Sequence, residues 1–255
     1  SDAMAVIVTQ QPPSTRSGVA LAVEDDRWSL TLGGMFDDAP PASEAGFREF
    51  ARGLSSPLIH DFLRSAEPVS EIQVFKYPAS LRRRYERLKQ FPEGLLVLGD
   101  ALCSFNPIYG QGMSTAALEA VLLGECLQHS EPRLAQRFFR GAARIVDVPW
   151  QTAATSDLQF PQVRGKRPLL SGLANAYQSL VHRAAQADPE VALAFHRVAN
   201  LLERPASLLR PRILRRVLHH AWRASEPAEC RLVESPTQPP RLICAGIRAG
   251  GLRIS

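Results

Sequence analysis

The sequence predicts an α+β fold, because three kinds of pattern follow one another along the chain. Residues 5–33 alternate apolar and polar side chains, which is typical of antiparallel strands with one buried face. The run Gly94-Leu-Leu-Val-Leu-Gly-Asp100 is short and continuously apolar, as expected of a strand buried on both faces. Residues 114–128 and most of 132–223 have the apolar spacing of helices. We therefore expect a sheet first, one buried strand with its helix next, and a helical region last.

The first segment predicts a meander of two or three strands, covered by helices. Its alternating stretches are residues 5–9, 19–23 and 28–32. Asp25-Asp26 is the expected turn between the last two strands. Ser43 is a plausible N-cap of one covering helix, and Ser56-Pro57 starts a second helix. These two helices should pack on the buried face of the sheet.

The remaining elements follow from shorter signals. Residues 72–75 predict another strand and residues 81–89 a basic helix. Prolines are expected to separate the C-terminal helices, at positions 149, 161, 168, 189 and 205. The tail from residue 225 is rich in Pro and Arg and is predicted to be disordered. The expected regions are thus 4–90 (sheet with covering helices), 91–129 (strand, loop and helix), 130–224 (helices) and 225–255 (tail).

Composition narrows the class of protein. At 255 residues, 45% hydrophobic and 22% charged, the chain is in the globular range. It has no apolar run long enough for a membrane span and no signal segment, so a cytoplasmic location is expected. The four cysteines form no Cys-x-x-Cys pair, which favours free thiols. Arginine clusters at 82–84 and 210–216 suit solvated helix faces better than nucleic-acid binding, because no aromatic residues are interleaved for stacking.

The segment from Gly94 to Ala120 carries the clearest chemical signal. A carboxylate, Asp100, follows the apolar run, Pro107 turns a loop, and Gly110-Gln-Gly112 precedes a helix. The carboxylate can accept hydrogen bonds from sugar-like hydroxyls, and the glycines let the backbone approach a ligand. Exposed amides at the start of the helix stabilise negative charge. Together these features suit a large, polyhydroxylated, electron-poor cofactor.

This segment resembles the second FAD motif of FAD-dependent monooxygenases of the p-hydroxybenzoate hydroxylase type, which include 2-polyprenyl-6-methoxyphenol hydroxylase-like enzymes. That motif is commonly written Gly-Asp-Ala-Ala-His, then Pro, then Gly-x-Gly-x-Asn. The resemblance implies a partial antiparallel substrate-domain sheet, the closing strand and helix of an FAD/NAD(P)-binding domain, and a helical C-terminal region. The implied cofactor-binding residues are Asp100 (ribityl hydroxyl), Pro107 (isoalloxazine ring), the backbone of Gly110, Gln111, Gly112 and Met113 (pyrimidine edge), and the helix start at Ser114 (N1–C2=O locus).

Three positions depart from the family pattern. Cys103 stands where the family has His, Ser114 where it has Asn, and Glu119 where it has Asp. None of these changes removes a backbone contact, but side-chain hydrogen bonds implied at 103 and 114 do not carry over.

The family's first FAD motif, a Gly-x-Gly-x-x-Gly unit that holds the pyrophosphate, does not occur in the sequence. The glycine-rich residues 246–251 have the wrong spacing. The chain therefore resembles the C-terminal portion of such an enzyme, and three explanations compete: a shortened chain, a protein encoded as two chains, or a relic that has lost its cofactor. Tight FAD binding by this chain alone is not expected. Exposed apolar surface is expected on residues 95–98 and on one side of the following helix.

For the intact enzyme, the resemblance implies NAD(P)H-dependent hydroxylation or epoxidation of an aromatic or polycyclic small molecule. Reduction of isoprenoid double bonds and halogenation of tryptophan stay open, and no catalytic residue is identified. The alternative is a non-catalytic relic or subunit that pairs with a separate FAD-binding chain or forms a homo-oligomer.

Other side chains give weaker signals. The histidines do not group with carboxylates at metal-ligand spacing, so no metal site is predicted. Trp28, Trp150 and Trp222 could line a pocket for an aromatic substrate, but core or interface packing is the stronger expectation. Tyr109, within the glycine loop, is a better pocket candidate and could equally shape the turn.

Overall fold

The α+β class is confirmed. The computed structural model describes residues 4–10, 12–128, 133–163, 165, 171–223 and 241–249, which fall into two compact units. The strands are β1 (Ala5–Val8), β2 (Arg16–Val23), β3 (Arg27–Met35), β4 (Glu67–Pro68), β5 (Gln73–Tyr77), β6 (Leu81–Arg82), β7 (Cys103–Ser104) and β8 (Arg241–Ala249). The helices are α1 (Glu44–Arg52), α2 (Leu58–Arg64), α3 (Gly112–Leu127), α4 (Leu134–Asp157), α5 (Ser171–Ala187), α6 (Pro189–Ala199) and α7 (Pro211–Arg223).

The first unit contains the predicted meander. β1, β2 and β3 pair antiparallel in sequence order. The predicted turn between β2 and β3 is present, and both Asp25 and Asp26 have positive φ angles, 60° and 52°. Tight hairpins need this left-handed backbone, and Asp adopts it more readily than most residues. The sheet continues from β3 through β8 to β4 and β5.

Helices α1 and α2 cover this sheet as predicted. Leu30 and Leu32 of β3 are fully buried against Phe47 of α1 and Ile59 of α2. The Ser43 side chain caps α1 by accepting a hydrogen bond from the Gly46 amide at 3.3 Å. The alternation seen in the sequence thus marks the face that the helices bury.

Strand β8 corrects the prediction of a disordered tail. Residues 241–249 pair in parallel with β3 on one side and with β4 and β5 on the other. Leu242 and Cys244 are buried in the core beneath α1 and α2. The sequence from Leu242 to Ile247 is a short apolar run rather than an alternating one, and the Pro-rich residues before it obscure this strand signal. The rest of the tail, 225–240 and 250–255, lies outside the described residues.

The second unit begins at Ser80. In its first part, α3 packs on α4, where Phe138 and Val146 are fully buried. In its second part, α5, α6 and α7 form a small bundle around Val181, Val191 and Val217. The predicted helix break at Pro149 is wrong, because α4 continues through this buried proline. Its apolar ring packs in the helix interface, where it offsets the cost of one missing amide hydrogen bond.

Two further predictions in this unit are wrong. Residues 81–89 form no basic helix: β6 pairs with β7, and Tyr85–Arg87 make a single turn. The predicted solvated arginine, Arg82, is buried with its guanidinium 2.6 Å from Asp147. This ion pair makes the extended conformation favourable, since only a strand here directs Arg82 at α4.

The predicted buried strand at residues 94–98 is also absent. The chain is extended, but no described strand pairs with it, and Leu95 and Leu98 are 49% and 37% exposed. A strand needs a neighbouring backbone to satisfy its amides and carbonyls, so an apolar run alone does not make one. Among the described residues, no helix combines the length and the apolar character that a membrane crossing requires.

Candidate functional site

The loops around α3 bring Asp100 next to the start of that helix. Gly99, Asp100 and Ala101 form one helical turn, with Gly99 in the left-handed region at φ 62°. The Asp100 side chain is exposed, and its Oδ1 lies 3.8 Å from where a Cβ on Gly112 would stand. The two ends of the motif, twelve positions apart in sequence, therefore meet in space. A Cβ at position 112 would be in van der Waals contact with the carboxylate.

The amino end of α3 is open. Gln111 occupies the N-cap position without a side-chain cap hydrogen bond. No described residue accepts a hydrogen bond from the amides of Gly112, Met113 or Ser114. Met113 is 86% exposed, so this end of the helix faces solvent. Unpaired amides and the helix dipole give the opening a positive potential beside Asp100.

The glycine loop before α3 is shaped from within. The buried Asn106 side chain accepts a hydrogen bond from the Ile108 backbone amide at 3.1 Å. The backbone N–H of Asn106 donates to the Ser80 hydroxyl. Pro107 starts a helical turn and is exposed. Gly110 ends that turn at φ 65°, with no described atom within 4 Å of the Cβ it lacks. The loop backbone at Gly110 is therefore bare and accessible to a flat ligand.

Two side chains fix this loop to the helices. The Tyr109 hydroxyl donates to the carboxylate of Asp157 at the end of α4. The buried Gln111 amide nitrogen donates to the Ala199 carbonyl at the end of α6, at 3.3 Å. These contacts favour a turn-shaping role for Tyr109 over a pocket-lining one. The loop is thus held on one side and left open on the other.

Buried carboxylates lie beneath the site. Glu119 of α3 is completely buried, and its Oε2 accepts a hydrogen bond from the Gly99 amide at 2.6 Å. Burial raises the pKa of Glu119; the Gly99 hydrogen bond opposes this shift and the nearby Asp100 charge adds to it. Burial also raises the pKa of Asp157 to about 6, against the lowering effect of the Tyr109 hydroxyl. Through these hydrogen bonds, Glu119 holds the backbone next to Asp100, and Asp157 holds the residue before Gly110.

The motif predicted residues that lie around the start of α3, and it did not indicate the buried side chains that support them. Asp100 lies beside Gly112 at the start of α3, and the turn from Pro107 to Gly110 leads through Gln111 into Met113 and Ser114 of that helix. Cys103, at the family's His position, is buried, and burial raises the pKa of its thiol to about 12. Its thiol is therefore not a nucleophile near neutral pH. The signal for Glu119 was present, since an acid inside an otherwise apolar helix needs a partner.

One side of α3 is an uncovered apolar surface, which confirms the expected exposure. We call it the α3 bare face and define it as Met113, Ala117, Leu118, Val121 and Gly124, all exposed. Val121 is 61% exposed and Leu118 36%. Helices that are apolar around their whole circumference are normally buried on all sides. The α3 bare face therefore has the composition of an interface.

Comparison with known proteins gives one distant relative. The chain is 33% identical over 193 residues to Protein Rv3254 of Mycobacterium tuberculosis (strain ATCC 25618 / H37Rv), and the match covers 72% of this chain. The name of that protein describes no activity. No family model matches. The chain spans 40% of the length of the relative that it matches.

Proposed function

We propose that this chain supplies the flavin side of the FAD site in an FAD-dependent oxidoreductase. The observation that carries the proposal is the position of the exposed Asp100 carboxylate beside Gly112, at the open end of α3. The sequence motif gives the cofactor class, and this geometry fits it. A carboxylate next to free amides suits a ligand that has hydroxyl donors on one part and carbonyl acceptors on another.

The described residues have defined tasks in this proposal. Asp100 accepts hydrogen bonds from the ribityl hydroxyls, and the amides of Gly112 and Met113 donate to the pyrimidine edge of the ring. The amino end of α3 stabilises negative charge on that edge. The bare backbone at Gly110 and the exposed Pro107 accommodate the ring face. The bound FAD supplies electron transfer and oxygen activation, with NAD(P)H as the reductant.

The ADP half of FAD requires a second unit. No Gly-x-Gly-x-x-Gly sequence is present, and the relative extends well beyond the matched part. We assign the missing contacts to a nucleotide-binding unit in a longer form of the protein or in a separate chain. The α3 bare face, with Leu95 and Leu98, is the surface for that unit, whose strand would pair with residues 94–98.

The proposed reaction of the complete enzyme is hydroxylation or epoxidation of an aromatic or polycyclic small molecule. The motif supports the flavin class, whereas the substrate class follows from the family resemblance alone. Reduction of a double bond or halogenation uses the same cofactor site. The role of this chain, to orient the flavin and balance its charge, is common to all three reactions.

Flavin titration of the purified chain tests the cofactor assignment. Binding is followed by the quenching of flavin fluorescence. The chain should bind FMN and FAD with similar dissociation constants, micromolar or weaker, because only contacts to the flavin half that the two share are present. Asp100→Ala should weaken binding about thirtyfold, which corresponds to roughly 2 kcal/mol of lost charge-assisted hydrogen bonds. Glu125→Ala is the matched control, since Glu125 is an exposed carboxylate farther along α3. Equal flavin affinity in both variants, with a lowered thermal midpoint for Asp100→Ala, would mean that Asp100 only supports the turn.

A non-catalytic binding subunit is the second candidate function, and the α3 bare face favours it. In that case the chain joins a partner through α3 without contacting flavin. The same titration separates the two candidates, because the subunit without a cofactor role shows no flavin binding that depends on Asp100.

A further inference from the structure

Helix α7 carries an exposed basic and aromatic face far along the chain from the flavin motif. We call it the α7 outer face and define it as Arg212, Arg215, Leu218, His219 and Trp222. At about 100° per residue, these positions fall within about one third of the helix circumference, and they span about 15 Å along the axis. The opposite side of α7 contributes the fully buried Val217 to the bundle core. The α7 outer face is therefore not needed for packing the bundle.

The charge on this face is only partly neutralised. Arg212 and Arg216 pair with Glu190, and Arg216 also pairs with Asp188. Arg215 has no carboxylate partner among the described residues; its Nε donates to the Pro211 carbonyl of its own helix. An open cleft of about 540 Å³ lies against these groups, lined by Asp188, Arg212, Arg215, Arg216, His219 and His220. The excess of arginine over carboxylate side chains in this lining suits a phosphate group.

The carboxyl half of the same face is apolar. Trp222 is 92% exposed and Leu218 50% exposed, and no described residue covers either. A fully solvated indole is unfavourable, and tryptophan is enriched where an apolar phase meets water. Arginine side chains that can pair with phosphates, next to an exposed Leu and Trp that can insert among headgroups, are the kinds of group that proteins use to bind a membrane surface.

We infer that the α7 outer face binds the surface of an anionic lipid bilayer. Arg212 and Arg215 contact the headgroup phosphates, which enter the cleft, while Trp222 and Leu218 insert at the level of the headgroups. Charge complementarity selects an anionic surface, since each arginine near such a surface strengthens binding about fivefold. A nucleic acid fits less well, because one aromatic side chain at the end of the helix provides no series of stacking positions. The inference rests on α7 and is independent of the flavin proposal.

Vesicle flotation with the full chain tests the inference. We expect binding to vesicles of phosphatidylcholine with about one third phosphatidylglycerol, and about 25-fold weaker binding to phosphatidylcholine alone, because two arginines each contribute about fivefold. Arg215→Gln should reduce binding to the anionic vesicles about fivefold, and Trp222→Ala about tenfold. Arg140→Gln is the matched control, because Arg140 is also exposed on a helix and donates through Nε to a carbonyl four residues back. This control should bind as the unaltered chain does.

Tryptophan fluorescence adds a second measurement. Emission should shift to shorter wavelength when anionic vesicles are added, and Trp222→Phe should abolish the shift, since Trp28 and Trp150 are far from α7 in sequence and partly buried. Equal binding to neutral and anionic vesicles, or equal losses for Arg215→Gln and Arg140→Gln, would overturn the inference. Tighter binding to a single-stranded oligonucleotide than to the anionic vesicles would also overturn it. So would the same fluorescence shift on addition of inorganic phosphate in place of vesicles.

Discussion

At the scale of single residues, the candidate site rests on buried carboxylates beneath exposed ones. Asp100 reaches solvent, whereas Glu119 and Asp157 are almost completely buried. Buried acids are retained where their hydrogen bonds have a structural use. Here each one fixes a loop that presents the proposed flavin contacts, through the Gly99 amide and the Tyr109 hydroxyl.

Glu119 should be replaceable by a neutral acceptor but not by a smaller side chain. Glu119→Ala leaves the Gly99 amide unpaired and opens a cavity, so the free energy of unfolding should fall by about 2–3 kcal/mol. Glu119→Gln keeps an acceptor and removes a buried charge, so its cost should stay below about 1 kcal/mol. Urea unfolding measures both. If Glu119→Gln lowers the free energy of unfolding as much as Glu119→Ala does, the hydrogen bond to the Gly99 amide is not the source of the stabilisation.

Asp157 should make stability depend on pH. Its pKa is raised from 3.8 to about 6 in the folded chain, so the folded state binds the proton more tightly than the unfolded state. The stabilisation is complete below about pH 4 and is lost as pH rises through about 6, a change of about 3 kcal/mol. The difference in unfolding free energy between the unaltered chain and Asp157→Asn should follow this curve.

Tyr109→Phe provides the internal control for this titration. Removing the hydroxyl that donates to Asp157 should raise the carboxyl pKa further and move the transition to higher pH. If the difference in unfolding free energy between the unaltered chain and Asp157→Asn does not change with pH, Asp157 does not titrate between about pH 4 and pH 6.

At the scale of secondary structure, α3 and the segment before it are the unusual elements. The segment 94–98 has the composition of a central strand, yet no strand in the described part of the chain pairs with it. Among the described residues, α3 packs mainly on α4 and the Gly99–Ala101 turn, and its Leu118 and Val121 stay exposed. Both features agree with the second, nucleotide-binding unit that we propose, although they come from different kinds of element.

Val121 tests whether the α3 bare face causes self-association. At 61% exposure, Val121→Glu should change stability by less than about 0.5 kcal/mol. It should lower the association seen by sedimentation and the binding of a hydrophobic dye, because charge is excluded from apolar interfaces. An exposed charge in the first unit, Glu24→Gln, should leave both unchanged. Undiminished association in Val121→Glu would place the contact surface elsewhere.

Sequence patterns predicted the elements that are stabilised by residues near one another in the chain. They failed for elements whose conformation depends on a partner far away in the sequence. The Asp25-Asp26 turn, the Ser43 cap and α3 follow from residues near one another in the chain. In contrast, β8 depends on β3, two hundred residues away, and β6 depends on the ion pair of Arg82. At the site, the proximity of Asp100 and Gly112 was predictable from the motif. The attachment of Tyr109 to Asp157 was not, since nothing near Tyr109 in the sequence indicates it.

At the scale of the whole molecule, the two units are interleaved along the chain. The first unit takes its strands from both ends of the described sequence, and the second unit is inserted between β5 and β8. Each has its own buried core, around Leu30 and Leu242 in the first and around Phe138 in the second. A unit with its own core is expected to unfold cooperatively.

This organisation predicts that core substitutions act on one unit at a time. Leu242→Ala should lower the stability of the first unit by about 2–5 kcal/mol, and Phe138→Ala that of the second by about 3–5 kcal/mol. Calorimetry should then show two transitions, only one of which moves in each variant. Tryptophan fluorescence follows the two units separately. Trp28 packs on Phe62 at 4.9 Å between ring centroids and reports the unfolding of the first unit, whereas Trp150 packs near Phe105 and reports that of the second. A disordered tail predicts no effect of Leu242→Ala, and a single transition that both variants shift equally would show that the chain unfolds as one cooperative body.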